Sequence, residues 1–413
     1  LPDASVTSSD ASLLHHDGSA DSSASGGDAG DSSALDVDGG SAVAAVPTSV
    51  VAGDGFTCAA VSYATHGGAV YCWGDDSALE LGDAGTGFVA VPLPASSLPV
   101  TLLRAHAAGR TTCALDAASR VWCWGANDYG QAGAPASASA PPTLLTIDGV
   151  AVTTNLLAVG ATHACLVEEG SVGTTIACWG DDRACELGLS VDGGDCQGNP
   201  YLPTVGEELA PAANPATLAA GDFFTCASSA RDEQVRCWGA NDLSQCAQAP
   251  SAFETSPVVV GSGGTNVSAG AGFGCSLNAG AAQCWGSNVG NAITDDGDAS
   301  SYVTPVSSFP SVTATAVVAG GGASCVLDGD GGVTCRGTVG GVAQSAEPVG
   351  GLAGVTSLAV GNGHVCAIGH AAAPAGAQLW CWGANDKGQV DPSAPGPAVA
   401  APRILTLPSS ANR

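Results

Sequence analysis

The apolar positions of this chain fall in short runs broken by Gly-rich turns, and the runs pair off into a repeating two-part pattern. Seven times, a few small or apolar residues lead through a Gly to a Cys: VVAGDGFTC ends at Cys58, HAAGRTTC at Cys113, LAVGATHAC at Cys165, LAAGDFFTC at Cys226, VSAGAGFGC at Cys275, VVAGGGASC at Cys325 and LAVGNGHVC at Cys366. Each is answered after a turn by a second half centred on Cys72, Cys123, Cys178, Cys237, Cys284, Cys335 or Cys381, six of them reading Cys-Trp-Gly and the sixth in order reading Cys335-Arg336-Gly337. Successive Trp (or Arg336) positions lie 46 to 59 residues apart, a period that belongs to propellers or solenoids. The pattern predicts an all-β repeat protein with a hairpin in every unit.

The two cysteines of a unit sit symmetrically about its turn. Folding the chain about Ala279-Gly280 brings Cys275 opposite Cys284, and the turn Gly329-Asp330-Gly331 does the same for Cys325 and Cys335. Opposed residues of an antiparallel pair are within disulfide reach, so seven cross-strand disulfides are expected. Zinc would need four converging ligands, usually from short CxxC pairs, and the chain has none. Three cysteines lie outside these pairs. Cys185 and Cys196 flank the acidic stretch ELGLSVDGGD and are expected to close a loop, which leaves Cys246 as a free thiol; pairing of Cys246 with either of the others, or with another chain, is the alternative.

A proline opens an extended stretch before each Gly-Cys half, at Pro92, Pro142, Pro203, Pro257, Pro305 and Pro348, but the first unit lacks one. The missing copy comes at the end of the chain, as PRILTLP from Pro402 to Pro408. This frame shift predicts a closed ring, a seven-bladed β-propeller of four-stranded antiparallel blades over residues 45–408, whose C-terminal strand completes the first blade. Residues 409–413 would be a short tail. Residues 1–44 hold eight Asp and no Lys or Arg in a run of Ser, Ala and Gly, and are expected to be a disordered spacer.

Composition narrows the function. With 45% hydrophobic and 12% charged residues the chain can build a core, and its 59 Gly without a single Met favour strands and turns. A net charge of −28 repels nucleic-acid phosphates, which argues against a nucleic-acid partner. Seventeen cysteines point to an oxidising, extracellular or cell-surface location. No apolar stretch is long enough to span a membrane.

The Gly-x-x-His/Phe-x-Cys half followed by Cys-Trp-Gly-Ala-Asn-Asp-x-Gly-Gln resembles the regulator of chromosome condensation repeat, most clearly in GATHAC from Gly160 and WCWGANDYGQ from Trp122. The resemblance spans all seven units and implies a seven-bladed propeller; the added cysteines look like those of a secreted bacterial branch of the family. Arg336 departs from the repeat's Trp, and GTVGG after it lacks the Asn-Asp-x-Gly-Gln turn, so a shortened or loosely packed sixth blade is expected. The exchange activity of nuclear members on a small GTPase is not carried over, because the compartment is wrong for it.

Each repeat Trp is read as packing one blade on the next, whereas Trp122 and Trp380, just before their Cys, are the candidates for an exposed aromatic platform. His163 and His364 stand where other units have Phe56, Phe224 and Phe273, which marks packing rather than ligation. Asn127, Asn241, Asn385, Asp76 and Asp182 suit side chain to backbone turns. Asp295, Asp296, Asp298, Asp328 and Asp330 lie in acidic turns of the kind that bind Ca²⁺, but match no complete loop motif. No cofactor, metal or catalytic motif is found. The insertion from Cys185 to about Pro215, with Glu186, Asp192 and Asp195, is the expected partner loop. The reading is a non-enzymatic binding or display module for a protein or cell-surface macromolecule; the alternatives are a structural or adhesive subunit linked through Cys246 or the N-terminal segment, and a propeller lyase or hydrolase.

Overall fold

The computed structural model describes residues 43–409 apart from 65–66, 107, 171–172, 190–195, 197–199, 206–214, 230, 263, 265, 297–299, 353 and 371–375. The spacer expected over residues 1–44 therefore lies outside the described residues except for Val43 and Ala44, and the expected tail does so after Ser409. Seven four-stranded antiparallel sheets follow one another along the chain, each with its strands in sequential order. The first is built from Val46–Ala52, Phe56–Ser62, Gly68–Gly74 and Val89–Ala90, and the seventh from Val355–Val360, His364–His370, Ala377–Asn385 and Gly396–Leu405. The chain is a seven-bladed propeller. The first strand of every blade lines the axis, where Val51, Ala158, Ala219, Ser268, Val318 and Ala359 meet in one channel.

The Cys-Trp dipeptide explains how one blade grips the next. Adjacent residues on a strand point to opposite faces of its sheet, so Cys and Trp face opposite neighbours. The Cys58–Cys72 disulfide thus shares a buried cluster with Trp124 of the second blade, while Trp73 is buried with Cys366 and Cys381 of the seventh. Trp179, Trp238, Trp285 and Trp382 each cover the disulfide of the blade before them in the same way. The seven hairpin disulfides join residues directly opposed in register, with Cα atoms 4.0 to 4.1 Å apart.

Each joint carries a hydrogen bond as well. The indole Nε1 of Trp73, Trp124, Trp179, Trp238 and Trp285 donates over 2.7 to 3.0 Å to the main-chain carbonyl of Gln389, Glu80, Gln131, Glu186 and Gln245, one turn residue in each preceding blade. Gly after the Trp has φ near +100° (Gly125, +104°), and a Cβ at Gly125 would strike the Arg110 carbonyl of the adjoining turn, which is why the dipeptide is always followed by Gly. The Gly that opens Gly-x-x-His/Phe is required for another reason. At Gly160 a Cβ would run into the His163 ring, and at Gly53 into Phe56, so the ring lies flat on bare backbone.

The proline marker has a different meaning from the expected one. Pro142, Pro257, Pro305, Pro348 and Pro402 lie within the fourth, outer strand of the preceding blade, and Pro92 and Pro203 border one. Proline has no N–H to give a ladder and is tolerated at a sheet edge. The final copy is accordingly the regular edge strand of the seventh blade, paired with Ala377–Asn385, and does not pair as a strand of the first. The C-terminal segment still meets the first blade at the closure, by packing: Leu405 and Leu407 are buried with Tyr63 and Tyr71, and the Tyr63 hydroxyl donates to the Pro408 carbonyl at 3.3 Å.

The sixth blade departs where its sequence does. Arg336, nearly buried, replaces the indole by reaching Asp295 of the fifth blade at 2.7 Å while its guanidinium lies over Phe309. Because the turn that would offer a carbonyl is missing from this blade, Trp382 Nε1 is buried without a hydrogen-bond partner. Trp124→Phe should therefore lower stability by about 1 kcal/mol more than Trp382→Phe in thermal or denaturant unfolding, since both lose similar volume but only the first loses a hydrogen bond.

Candidate functional site

In blades of this topology the connections between strands one and two, and between strands three and four, emerge on the same face. Two of the joints described above reach that face as hydrogen-bonded relays. The Thr225 hydroxyl donates to the Glu186 carbonyl at 2.9 Å and so accepts from His163 Nε2 at 2.8 Å; Thr57, Gln389 and His364 repeat this between the seventh and first blades, at 2.8 and 2.9 Å. Both imidazoles then carry their proton on Nε2 and are neutral, and burial pushes their pKa down to about 3 for His163 and about 4 for His364.

The turn after Cys-Trp-Gly is a compact hydrogen-bonded loop. Asn127 Oδ1 accepts from Ala132 N while its Nδ2 donates to the Ala134 and Pro135 carbonyls; Asn241 and Asn385 do likewise. The Gln four residues on folds back to accept an N–H, from Tyr129 at Gln131 and from Lys387 at Gln389. In the first and third blades both amides become acids: Asp76 with Glu80, and Asp182 with Glu186. Glu80 meets Arg110 as an ion pair. Asp182 Oδ2 and Glu186 Oε1, by contrast, are buried without a hydrogen-bond partner. Burial, helped by the Asp181 charge, raises Asp182 to about 6 and Glu186 to about 8, so at neutral pH Glu186 stays protonated and stands in for the amide.

This corrects the reading of the insertion. Glu186 is fully buried and is a turn residue whose carbonyl holds Trp238 and Thr225, so it is no partner contact. Asp192 and Asp195 lie outside the described residues. Cys185, on left-handed backbone (φ 63°), is disulfide-bonded to Cys196, which hangs the insertion from the third blade's turn. Cys246 is free but buried at 0% exposure, with Sγ 3.7 Å from the Ala240 carbonyl and its thiol pKa pushed well up by burial, which rules it out as a link to another chain in the folded ring. Trp122 and Trp380 are likewise buried, Trp122 donating to Asp116, and cannot form an exposed platform.

The acidic turns are also occupied. Asp328 accepts from the N–H groups of Asp330 and Gly332, Asp295 pairs with Arg336, and Asp296 accepts from the Tyr302 hydroxyl; Asp298 lies outside the described residues. Among the described residues no group of three or more Asp, Glu, His or Cys is arranged to hold a metal ion.

Three features of this face were not anticipated. Phe223 and Leu243 of the fourth blade and Val289 of the fifth are exposed at 40%, 41% and 64%. Phe223 and Leu243 stand in the two connections of the fourth blade on this face and Val289 in the second such connection of the fifth, with Leu243 leaning over the fifth blade's turn at Gly272. The other sector is charged, with Arg183 paired to Asp181 and lying over the Tyr129 ring, and Arg110 beside Asp75. At the axis, His106 of the second blade is 3.4 Å from Asp222 of the fourth, and Asn362 of the seventh donates to Asp54 of the first at 2.8 Å. Burial lowers His106 to about 4 and raises Asp222 to about 7, the Asp54 charge adding to the latter. A comparison of units would have flagged Phe223, which stands where four other units have Gly55, Gly272, Gly322 and Gly363.

Residues 109–131 match the model of the regulator of chromosome condensation (RCC1) repeat. No curated protein matches the sequence. Among solved structures, Prp20p from Saccharomyces cerevisiae, described with its binding to Gsp1p and histones, superposes with a TM-score of 0.67 at 17% identity, over 84% of this chain and 88% of that one. Human WBSCR16 superposes at 0.64 with 15% identity over 78% and 85%. Yeast RCC1 (Prp20) in its structure with Kap60 gives 0.61 with 17% identity over 76% and 78%. The likeness is one of fold, an RCC1-type propeller.

The Glu186 carboxyl has a pH signature. With a folded pKa of about 8, above the unfolded value, its stabilising contribution is complete below about pH 4 and is lost as the pH rises towards 8. Glu186→Gln, which restores the amide of the other repeats, should leave the melting temperature unchanged at pH 4 and raise stability by more than about 1 kcal/mol at pH 9; calorimetry at the two pH values measures both.

Proposed function

We propose that this chain is a non-enzymatic binding module of an oxidising, extracellular or cell-surface compartment, akin to the secreted disulfide-rich branch of RCC1-type propellers, and that it holds a protein partner on the face described above. The observation that carries this reading is the apolar sector of Phe223, Leu243 and Val289, side chains that no fold requirement places in water. A hydrophobic patch bordered by a charged sector has the composition of a protein contact. Prp20p, which shares the fold, is described with Gsp1p, histones and Kap60, so a ring of this architecture serves as a protein-binding surface elsewhere. Eight disulfides in a chain of this size support an oxidising compartment.

The lyase or hydrolase reading has one observation behind it, the gathering of His106, Asp222 and Asp54 at one mouth of the channel. His106 is only 3% exposed, accepts the Ala108 N–H on Nδ1 and is held neutral, which keeps it from substrate.

Phe223→Ser with Leu243→Ser should abolish capture of a specific partner by the intact chain from its native extracellular fraction, with a drop of at least tenfold in recovered partner and no change in melting temperature. The same capture after deletion of residues 190–199 should be unaffected. Unchanged capture by the double variant would contradict the reading.

A further inference from the structure

The mouth of the channel carries two carboxylates that no Lys or Arg among the described residues neutralises. Asp54 of the first blade and Asp222 of the fourth each stand four residues before the first Cys of their hairpin, as Asn362 does in the seventh. All three occupy the middle of a three-residue connection between strands one and two (53–55, 221–223 and 361–363). The flanking pairs Ala52 with Thr57, Ala220 with Thr225 and Val360 with Val365 share one register, so the three side chains start from one height of the ring. Main-chain hydrogen bonds tie these connections into a collar round the axis: Asn362 N–H donates to the Gly53 carbonyl at 3.2 Å, Asp54 N–H to Gly109 at 3.0 Å and Ala161 N–H to Gly221 at 3.1 Å. The third, fifth and sixth blades put Ala161, Ala271 and Gly321 at this height, which offer the acids no partner.

The contact at Asp222 is frustrated. Its Oδ1 is buried without a hydrogen-bond partner and lies 3.4 Å from His106 Nδ1. That nitrogen accepts the Ala108 N–H at 3.3 Å and so has no proton to give. Two acceptors therefore face each other, and the imidazole, 3% exposed and with Nε2 unpartnered, is held neutral by burial. Burial raises Asp222 to about 7 and the Asp54 charge adds to it, so each carboxylate lies within the other's field. Asp54 accepts Asn362 Nδ2 at 2.8 Å but meets no cation. Lys387, whose stem borders Gly55, and Arg110, engaged with Glu80, form no ion pair with either acid.

We propose that the channel mouth holds a basic side chain of the protein partner, its guanidinium or ammonium group set between Asp54 and Asp222. This rests on the binding face described under the proposed function and names what that face reads: an apolar contact on Phe223, the residue after Asp222, beside a positive charge at the axis. The Asp222 side chain is 26% exposed and Asp54 is half-buried, so both are open to a group arriving from that face. A basic head brings the N–H donors and the charge that both acids lack. Calcium would need six or more oxygens, and among the described residues no three acids or histidines are grouped to hold a metal ion.

Saturation-transfer difference NMR of N-acetyl-L-arginine amide with the intact chain reads the site without the partner. A signal is expected from the arginine derivative and none from its uncharged citrulline analogue. Binding should fall about tenfold in Asp222→Asn, and in Asp54→Asn should the first variant fail to fold. Lowering the pH from about 8 to about 6 protonates Asp222 while the arginine stays charged, and should weaken binding about tenfold. Phe223→Ser with Leu243→Ser leaves the signal in place, so that failure of the apolar face and failure of the mouth are read separately. No signal from the wild type, equal signals from the arginine and citrulline derivatives, or an unchanged signal in a folded Asp222→Asn would overturn the site. So would displacement by calcium chloride where sodium chloride of the same ionic strength has no effect, since a metal ion would then be the occupant.

Discussion

Everything in this ring depends on the fact that neighbouring residues of a strand point to opposite faces of their sheet. Cys-Trp turns that geometry into a joint: the Cys faces forward as half of a cross-strand disulfide, and the Trp faces back to cover the disulfide of the previous blade. The indole then has one polar atom to satisfy in a dry interface, and a single turn carbonyl of the previous blade does so five times over. The closure between the seventh and first blades uses this same joint, with Trp73 and Thr57 both donating to Gln389. No strand needs to be exchanged across it.

The repeat tolerates change only where a substitute contact exists. Arg336 keeps its joint by exchanging an indole hydrogen bond for an ion pair to Asp295, and the cost of the shortened sixth blade shows one joint later, at the unpartnered Trp382 nitrogen. Glu80 is tolerated through Arg110, whereas Glu186, without such a partner, is tolerated by remaining protonated. With the frame held by these joints, the connections on one face are free to differ, and exposed apolar side chains occur there.

How far the sequence could be read follows from the range of each signal. The hairpins and their opposed cysteines were legible because they depend on a turn and its immediate flanks. The prolines were a true mark of extended chain, but a local signal does not say which sheet an extended segment joins, and edge position rather than ring closure explains Pro402. Glu186 was placed in an exposed loop because an insertion follows it, although it occupies the Gln position of a buried turn. His106 and Asp222 acquire meaning only once the second and fourth blades converge on the axis, which no spacing along the chain reveals.

Hydrogen exchange of the tryptophan indoles, followed by NMR on protein labelled at Trp, tests the closure most directly. If the seventh and first blades are joined as the others are, the Trp73 indole N–H exchanges as slowly as that of Trp124, both through global unfolding alone. A Trp73 indole that exchanges orders of magnitude faster than Trp124 would mean that the ring opens at its seam.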